Sequence, residues 1–195
     1  MKNVKNLILP TITWFLLFGL TVKLGLSETL FSLLPWSGSV IVGGCLLNMI
    51  LSWLIVRKRE ELALLLKLSD RKIWLLYLIL FFAGITVPWH YHWELPIWQY
   101  LLFVTISVFW QNLVTFGLFQ NALKQHLSQK SIFLLLPIVF LLGHIIFIPN
   151  FLTEKSPVVV VLTPVMALLF CYLKEKTGQL HWLIFIHLMF YFLTA

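Results

Sequence analysis

The chain has 195 residues, of which 61% are hydrophobic and 11% charged, with a mean hydropathy of +0.96. Soluble domains carry about 25% charged residues, so this composition specifies a membrane protein and leaves no room for a separate soluble catalytic module. The net charge of +7 raises nucleic acid as a partner, but the placement of the charges along the chain argues against it.

Seven apolar stretches follow one another: 7–26, 36–56, 73–90, 97–123, 132–149, 158–173 and 180–195. A helical span needs about 20 residues, and the last two stretches are shorter. The pattern predicts an all-α, polytopic membrane helix bundle of about seven transmembrane helices, forming a single integral membrane domain over 1–195. Lys2 and Lys5 precede the first stretch as they would in a signal peptide. No small-x-small cleavage site stands near its end, so a retained first helix is expected. Cys45 and Cys171 fall inside apolar runs and read as small buried hydrophobes.

Between the second and third stretches lies "RKREELALLLKLSDRK" (57–72). Its apolar residues alternate with charges, and two readings stay open: an amphipathic helix in the membrane interface or a solvated loop. "VPWHYHWELP" (87–96) holds His90 and His92. The pair lacks further ligands nearby, and an interfacial aromatic belt explains the segment better than a metal does. No metal or other cofactor is expected.

The positive charges decide the orientation. Lys2 and Lys5, the six between Arg57 and Lys72, Lys124, Lys130, Lys174 and Lys176 all lie on alternate loops. That is twelve of the fourteen Lys and Arg residues, with Lys23 and Lys155 as the exceptions. By the positive-inside rule the amino terminus is cytoplasmic and the carboxyl terminus external. The excess positive charge thus orients the chain in the lipid bilayer, and no nucleic-acid partner is expected.

Polar residues at membrane depth mark candidate functional sites. Gln111 and Asn112 open "QNLVTFGLFQNAL" (111–123), His144 lies in "FLLGHIIFIP" and His187 in "WLIFIHLMFY". At 1.5 Å per residue, Asn112 lies about 17 Å, His144 about 18 Å and His187 about 10 Å from the inner ends of their helices. One shared cavity and separate interhelical hydrogen bonds, each worth about 0.6–2 kcal/mol, both fit these depths.

The order and spacing of these residues resemble the CAAX protease and bacteriocin-processing family, also called Abi, of intramembrane endopeptidases. Its first motif reads Glu-Glu-x-x-x-Arg, its second Phe-x-x-x-His and its third His-x-x-x-Asn or Asp. The second is intact here as Phe140-Leu-Leu-Gly-His144. The third begins at His187, after "KTGQL". "QNLVTFGLFQNAL" aligns with a typical "EELLFRGLLQNAL", with Gly117, Leu118, Gln120, Asn121, Ala122 and Leu123 matching. The similar core covers about 97–195. By this resemblance, Gln111 and Asn112 stand at the paired glutamates, Phe116 at the arginine, and Tyr191 at the closing Asn or Asp. The family's motif-one glutamate activates water, and the histidines and the last Asn or Asp assist it or bind the oxyanion. Here the first motif is degenerate.

A carboxamide can orient water but cannot take its proton, and loss of a general base removes about 10²–10⁴ in rate. Removing two acids and one base together leaves no unpaired buried charge. The expectation is therefore a pseudoprotease: a non-catalytic membrane scaffold that binds a membrane-anchored partner protein. The resemblance suggests a cell-envelope or cell-wall enzyme for that partner, and the plasma membrane of a Gram-positive bacterium for its location, with 87–96 as one contact surface. An active endopeptidase with an altered base, serving bacteriocin immunity or peptide processing, is the alternative. A small transporter or channel is a third reading, but the chain shows no inverted repeat and no row of pore-lining charges.

Overall fold

The computed structural model describes residues 2–34, 38–68 and 70–195, the first four of them as backbone. Residues 36 and 37 of the second apolar stretch and Ser69 of the charged segment lie outside the described residues. Helices make up the described chain, without a strand among them. Five are long and apolar enough to cross a membrane: Ser39–Lys58, Arg71–Trp89, Ile97–Lys124, Gln129–Phe147 and Pro157–Thr177. Two further apolar helices, Asn6–Gly19 and His181–Leu193, are shorter. Thirteen residues of α-helix extend only about 20 Å, against a hydrocarbon core near 30 Å. The coarse expectation of a polytopic helix bundle therefore stands, with five full-length candidates and two shorter apolar helices among the described residues.

Helix α1 (Lys2–Gly19) stops before the end of the first apolar stretch. Lys23 takes a left-handed φ of +58°, and the chain restarts as the short α2 (Gly25–Phe31). The stretch 7–26 is thus a helix and a bend, because a lysine in that conformation interrupts the backbone ladder. Helix α3 (Ser39–Lys58) ends as the apolar run gives way to Arg57 and Lys58. Within the charged segment Glu60–Leu65 form a short helix of their own, α4, while Arg57 and Lys58 end α3 and Arg71 and Lys72 begin the next helix. Leu62 is fully buried, because α4 packs against the chain around Gly117. The segment is thus partly docked on the bundle, a third outcome between interfacial helix and loop.

Caps written into the sequence set other boundaries. Asp70 accepts from the Lys72 amide at 2.9 Å to start α5 (Arg71–Thr86), which a 3-10 turn extends to Trp89. Ser128 accepts from the Ser131 amide to start α8 (Gln129–Phe147). Ser156 followed by Pro157 starts α10 (Pro157–Thr177), a favoured N-terminal pair. Gly178, at φ +65°, closes α10 and returns its amide to Lys174 O at 2.9 Å; a left-handed C-terminal position suits a residue without Cβ.

Between these lie α6 (Ile97–Asn112), a π-helical segment (Leu113–Phe119), α7 (Gln120–Lys124), the one-turn α9 (Phe151–Glu154) and α11 (His181–Leu193). The continuous run 97–124 is the most enclosed of the five long helices. Helix α3 and α11 pack on α6, α1 on the π segment, and α8 pairs with α10. Cys45 and Cys171 are free and buried.

Close approach of α1 and α8 depends on Gly143. A Cβ there would stand 2.8 Å from Trp14 Cη2 and 3.0 Å from Phe18 Cε1. Both rings are fully buried, so neither has space to yield. Gly143→Ala is expected to destabilise the fold by about 1–3 kcal/mol, as overpacking does. A thermal-unfolding scan in mild detergent measures this, and an unchanged midpoint would contradict the packing.

Orientation is a separate expectation. Single cysteines near Lys67, Lys130 and Lys176 should be shielded from an external thiol reagent in intact cells, while cysteines near Glu94 and Ala195 should react. An unreactive cysteine at Ala195 would overturn the external carboxyl terminus derived from the lysine and arginine distribution.

Candidate functional site

The polar positions of α6, α8 and α11 are buried in the bundle. Gln111, Asn112, His144 and His187 are each at most 9% exposed. Asn112 Nδ2 donates to the Val108 carbonyl at 2.7 Å and to His187 Nδ1 at 3.2 Å. Both donations fix the amide orientation, because a flip would set two carbonyl oxygens against each other. Asn112 Oδ1 is left buried with no partner. Since His187 accepts at Nδ1, its proton resides on Nε2.

His144 is in the opposite tautomer. Its Nδ1 faces the Phe140 carbonyl at 2.9 Å and must donate to it, which leaves Nε2 as the basic nitrogen. Rings of Phe18, Phe140 and Phe151 surround this imidazole, with centroids 4.6–5.6 Å away. The two histidines are therefore not equivalent. His187 presents a donor and has its lone pair engaged by Asn112. His144 presents a lone pair among hydrocarbon rings.

Phe116 joins the two sides. It is 1% exposed and its ring lies 6.0 Å from Phe140 and 5.6 Å, edge-on, from Phe170. Phe170 in turn lies 5.4 Å from His187. A continuous relay of rings thus runs from His144 through Phe140, Phe116 and Phe170 to His187. Tyr191 stacks on His187, at 5.5 Å and 26°. The backbone carbonyl of Tyr191 accepts from Tyr100 Oη at 2.9 Å, which ties α11 to α6.

The π segment explains how one helix supplies these groups. A wider turn aligns residues five apart as well as four apart. It directly follows Gln111 and Asn112, and it contains Phe116. Such turns recur at functional sites.

The second amide pair does a different job. Gln120 Nε2 donates to Glu175 Oε1 at 2.8 Å, and Lys124 Nζ to Glu175 Oε2 at 2.7 Å. Buried Lys174 donates to Asn121 Oδ1. These contacts hold α7 to the end of α10 and belong to the scaffold. Among the described residues, no three His, Cys, Asp or Glu side chains gather as a metal would require. His90 Nε2 donates instead to the Phe192 carbonyl at 2.7 Å, which pins the loop 90–96 to the end of α11.

A family model for type II CAAX prenyl endopeptidases, Rce1-like, matches residues 92–193. The match covers more than half of the chain. The protein belongs to this Rce1-like family. No curated protein and no solved structure matches it. The Rce1-like region holds Gln111, Asn112, Phe116, Phe140, His144, His187 and Tyr191, all seven positions singled out by motif.

It does not hold the residues that motif reasoning missed. Trp14 and Phe18 come from α1, outside the Rce1-like region. Trp14 Nε1 donates to Thr115 Oγ1 at 3.0 Å, and its indole stacks on Phe119 at 5.4 Å. Phe18 covers His144. The one available signal was Thr115, a hydroxyl in an otherwise apolar run.

Proposed function

We propose that this Rce1-like protein is a non-catalytic member of its family, a plasma-membrane scaffold that binds a membrane-anchored protein. The carrying observation is the Asn112 carboxamide, which donates to the lone pair of His187. A glutamate at this position would accept a proton; the amide instead occupies the one nitrogen of His187 able to do so. Gln111 adds no base, and Phe116 supplies an aromatic contact in place of a cation. The partner is proposed as a cell-envelope enzyme of a Gram-positive bacterium, reached through the family's usual associations.

Purified protein should cleave neither prenylated nor unmodified membrane peptides. His187→Ala should cost about 0.6–2 kcal/mol, the range of one interhelical hydrogen bond, His144→Ala removes only a bond within α8, and both should leave the biological role intact. Complementation of a strain lacking the gene by the double variant, with membrane levels matched by immunoblot, measures this. Reproducible cleavage by the wild type that disappears with His144→Ala would instead establish an endopeptidase using the His144 Nε2 lone pair as its base.

A further inference from the structure

A concavity lies at the Arg57 end of α3. Ser52, Trp53, Val56 and Arg57 of α3, Glu60, Ala63 and Leu66 at α4, and Phe109 of α6 enclose a groove of about 490 Å³. Three of its features differ from a lipid-facing dent between helices. Its floor is apolar and aromatic. Its rim carries the Arg57 guanidinium, held 5.1 Å over the Trp53 ring. Within it, Ser52 is 6% exposed, and its buried hydroxyl has no hydrogen-bond partner, although a helical serine can usually bond to the carbonyl four residues back.

We propose that this groove binds one anionic glycerophospholipid, with its phosphate on Arg57 and an acyl chain along Trp53, Val56, Ala63, Leu66 and Phe109. Charge and depth both fit. Arg57, Lys58 and Arg59 outnumber Glu60 and Glu61 at this edge, and Arg59 is already paired with Glu61 at 3.5 Å. The groove's own charged lining is Arg57 and Glu60, and the positive excess belongs to the segment 57–72 around it, with six Lys and Arg against three Asp and Glu. An arginine on an aromatic face is pre-ordered for a phosphate oxygen pair. Ser52 lies five residues deeper on the same helix, about 7 Å along its axis. A glycerophospholipid has its ester carbonyls below its phosphate by a spacing of the same order. The unpaired Ser52 hydroxyl is the donor that the proposal assigns to such a carbonyl. The Arg57 end of α3 also closes a loop rich in positive charge, where anionic lipid accumulates.

The test is native mass spectrometry of the full chain, released from mild detergent with equal added phosphatidylglycerol, phosphatidylcholine and phosphatidylethanolamine. The wild type should retain one phosphatidylglycerol in preference to phosphatidylcholine or phosphatidylethanolamine. Arg57→Gln should weaken retention about fivefold, the weight of one basic residue near a membrane surface. Ala63→Trp, which fills the groove and keeps every charge, should reduce retention about tenfold. Arg71→Gln, a cation outside the groove, should have no effect. Soluble glycerol phosphate should not displace the lipid, since it lacks the acyl chain. The proposal is overturned by equal retention of phosphatidylethanolamine, by unchanged retention in Ala63→Trp, by an Arg71→Gln loss equal to that of Arg57→Gln, or by displacement with glycerol phosphate. Circular dichroism of each variant confirms that the helices are intact.

Discussion

Phe116→Arg is expected to lower the membrane level of the protein at least about tenfold, although it restores the family's own residue. Gln111 and Asn112 offer a guanidinium no carboxylate to pair with. Phe116 is 1% exposed between the Phe140 and Phe170 rings. Removing its ring costs about 3–5 kcal/mol by analogy with Phe→Ala in cores. Placing arginine within a spanning helix adds up to about 2.5–3.5 kcal/mol, the value at the centre. A tenfold population change needs only about 1.4 kcal/mol, so the loss should be plain on an immunoblot.

The recovery is more informative than the loss. Gln111 and Asn112 are five and four residues before Phe116, and the π segment aligns both spacings. Adding Gln111→Glu and Asn112→Glu should therefore restore part of the level, with a coupling of about 0.5–3 kcal/mol. Strict additivity would mean that these side chains do not share one space, and the carry-over of the first motif would fail.

Trp14→Ala should be the most damaging change outside the Rce1-like region. Its indole is 1% exposed and packs against Phe15, Phe18 and Phe119 at 4.8–5.4 Å. Truncation leaves a cavity and strands Thr115, for about 3–5 kcal/mol. Lipid tails compete for apolar contact, so the packing and the hydrogen bond carry this value more than water exclusion does. Trp14→Phe keeps most of the packing and loses the 3.0 Å bond to Thr115. A thermal cycle with Thr115→Val separates the two contributions. If Trp14→Phe with Thr115→Val is no better than the sum of the single changes, the Trp14–Thr115 bond is not a structural tie.

Trp14 also shows where reading the sequence stopped. Its neighbours in the chain, Phe15 to Leu17, are as apolar as it is. Periodicity separates buried from exposed only where exposure means water. In a bilayer the outward face is apolar too, so Trp14 and the exposed Leu16 look alike in sequence while one is core and the other faces lipid. The depth estimates for Asn112, His144 and His187 allowed a common cavity but could not distinguish it from three separate contacts.

What the sequence determined by itself was the helical membrane class, the extent of most long helices, and the family resemblance of its second half. Each rests on local chemistry: apolar runs must satisfy their own backbone groups in lipid, and short motifs are read residue by residue. Only the tertiary structure decided that α1 breaks at Lys23, that a π turn follows Asn112, and that Gly143 lets α1 approach His144. It alone set Asn112 against Nδ1 of His187 and left Ser52 unpaired beside Arg57. These features depend on which helices meet and at what distance. Close packing of residues far apart in the chain sets that distance, and no single helix encodes it.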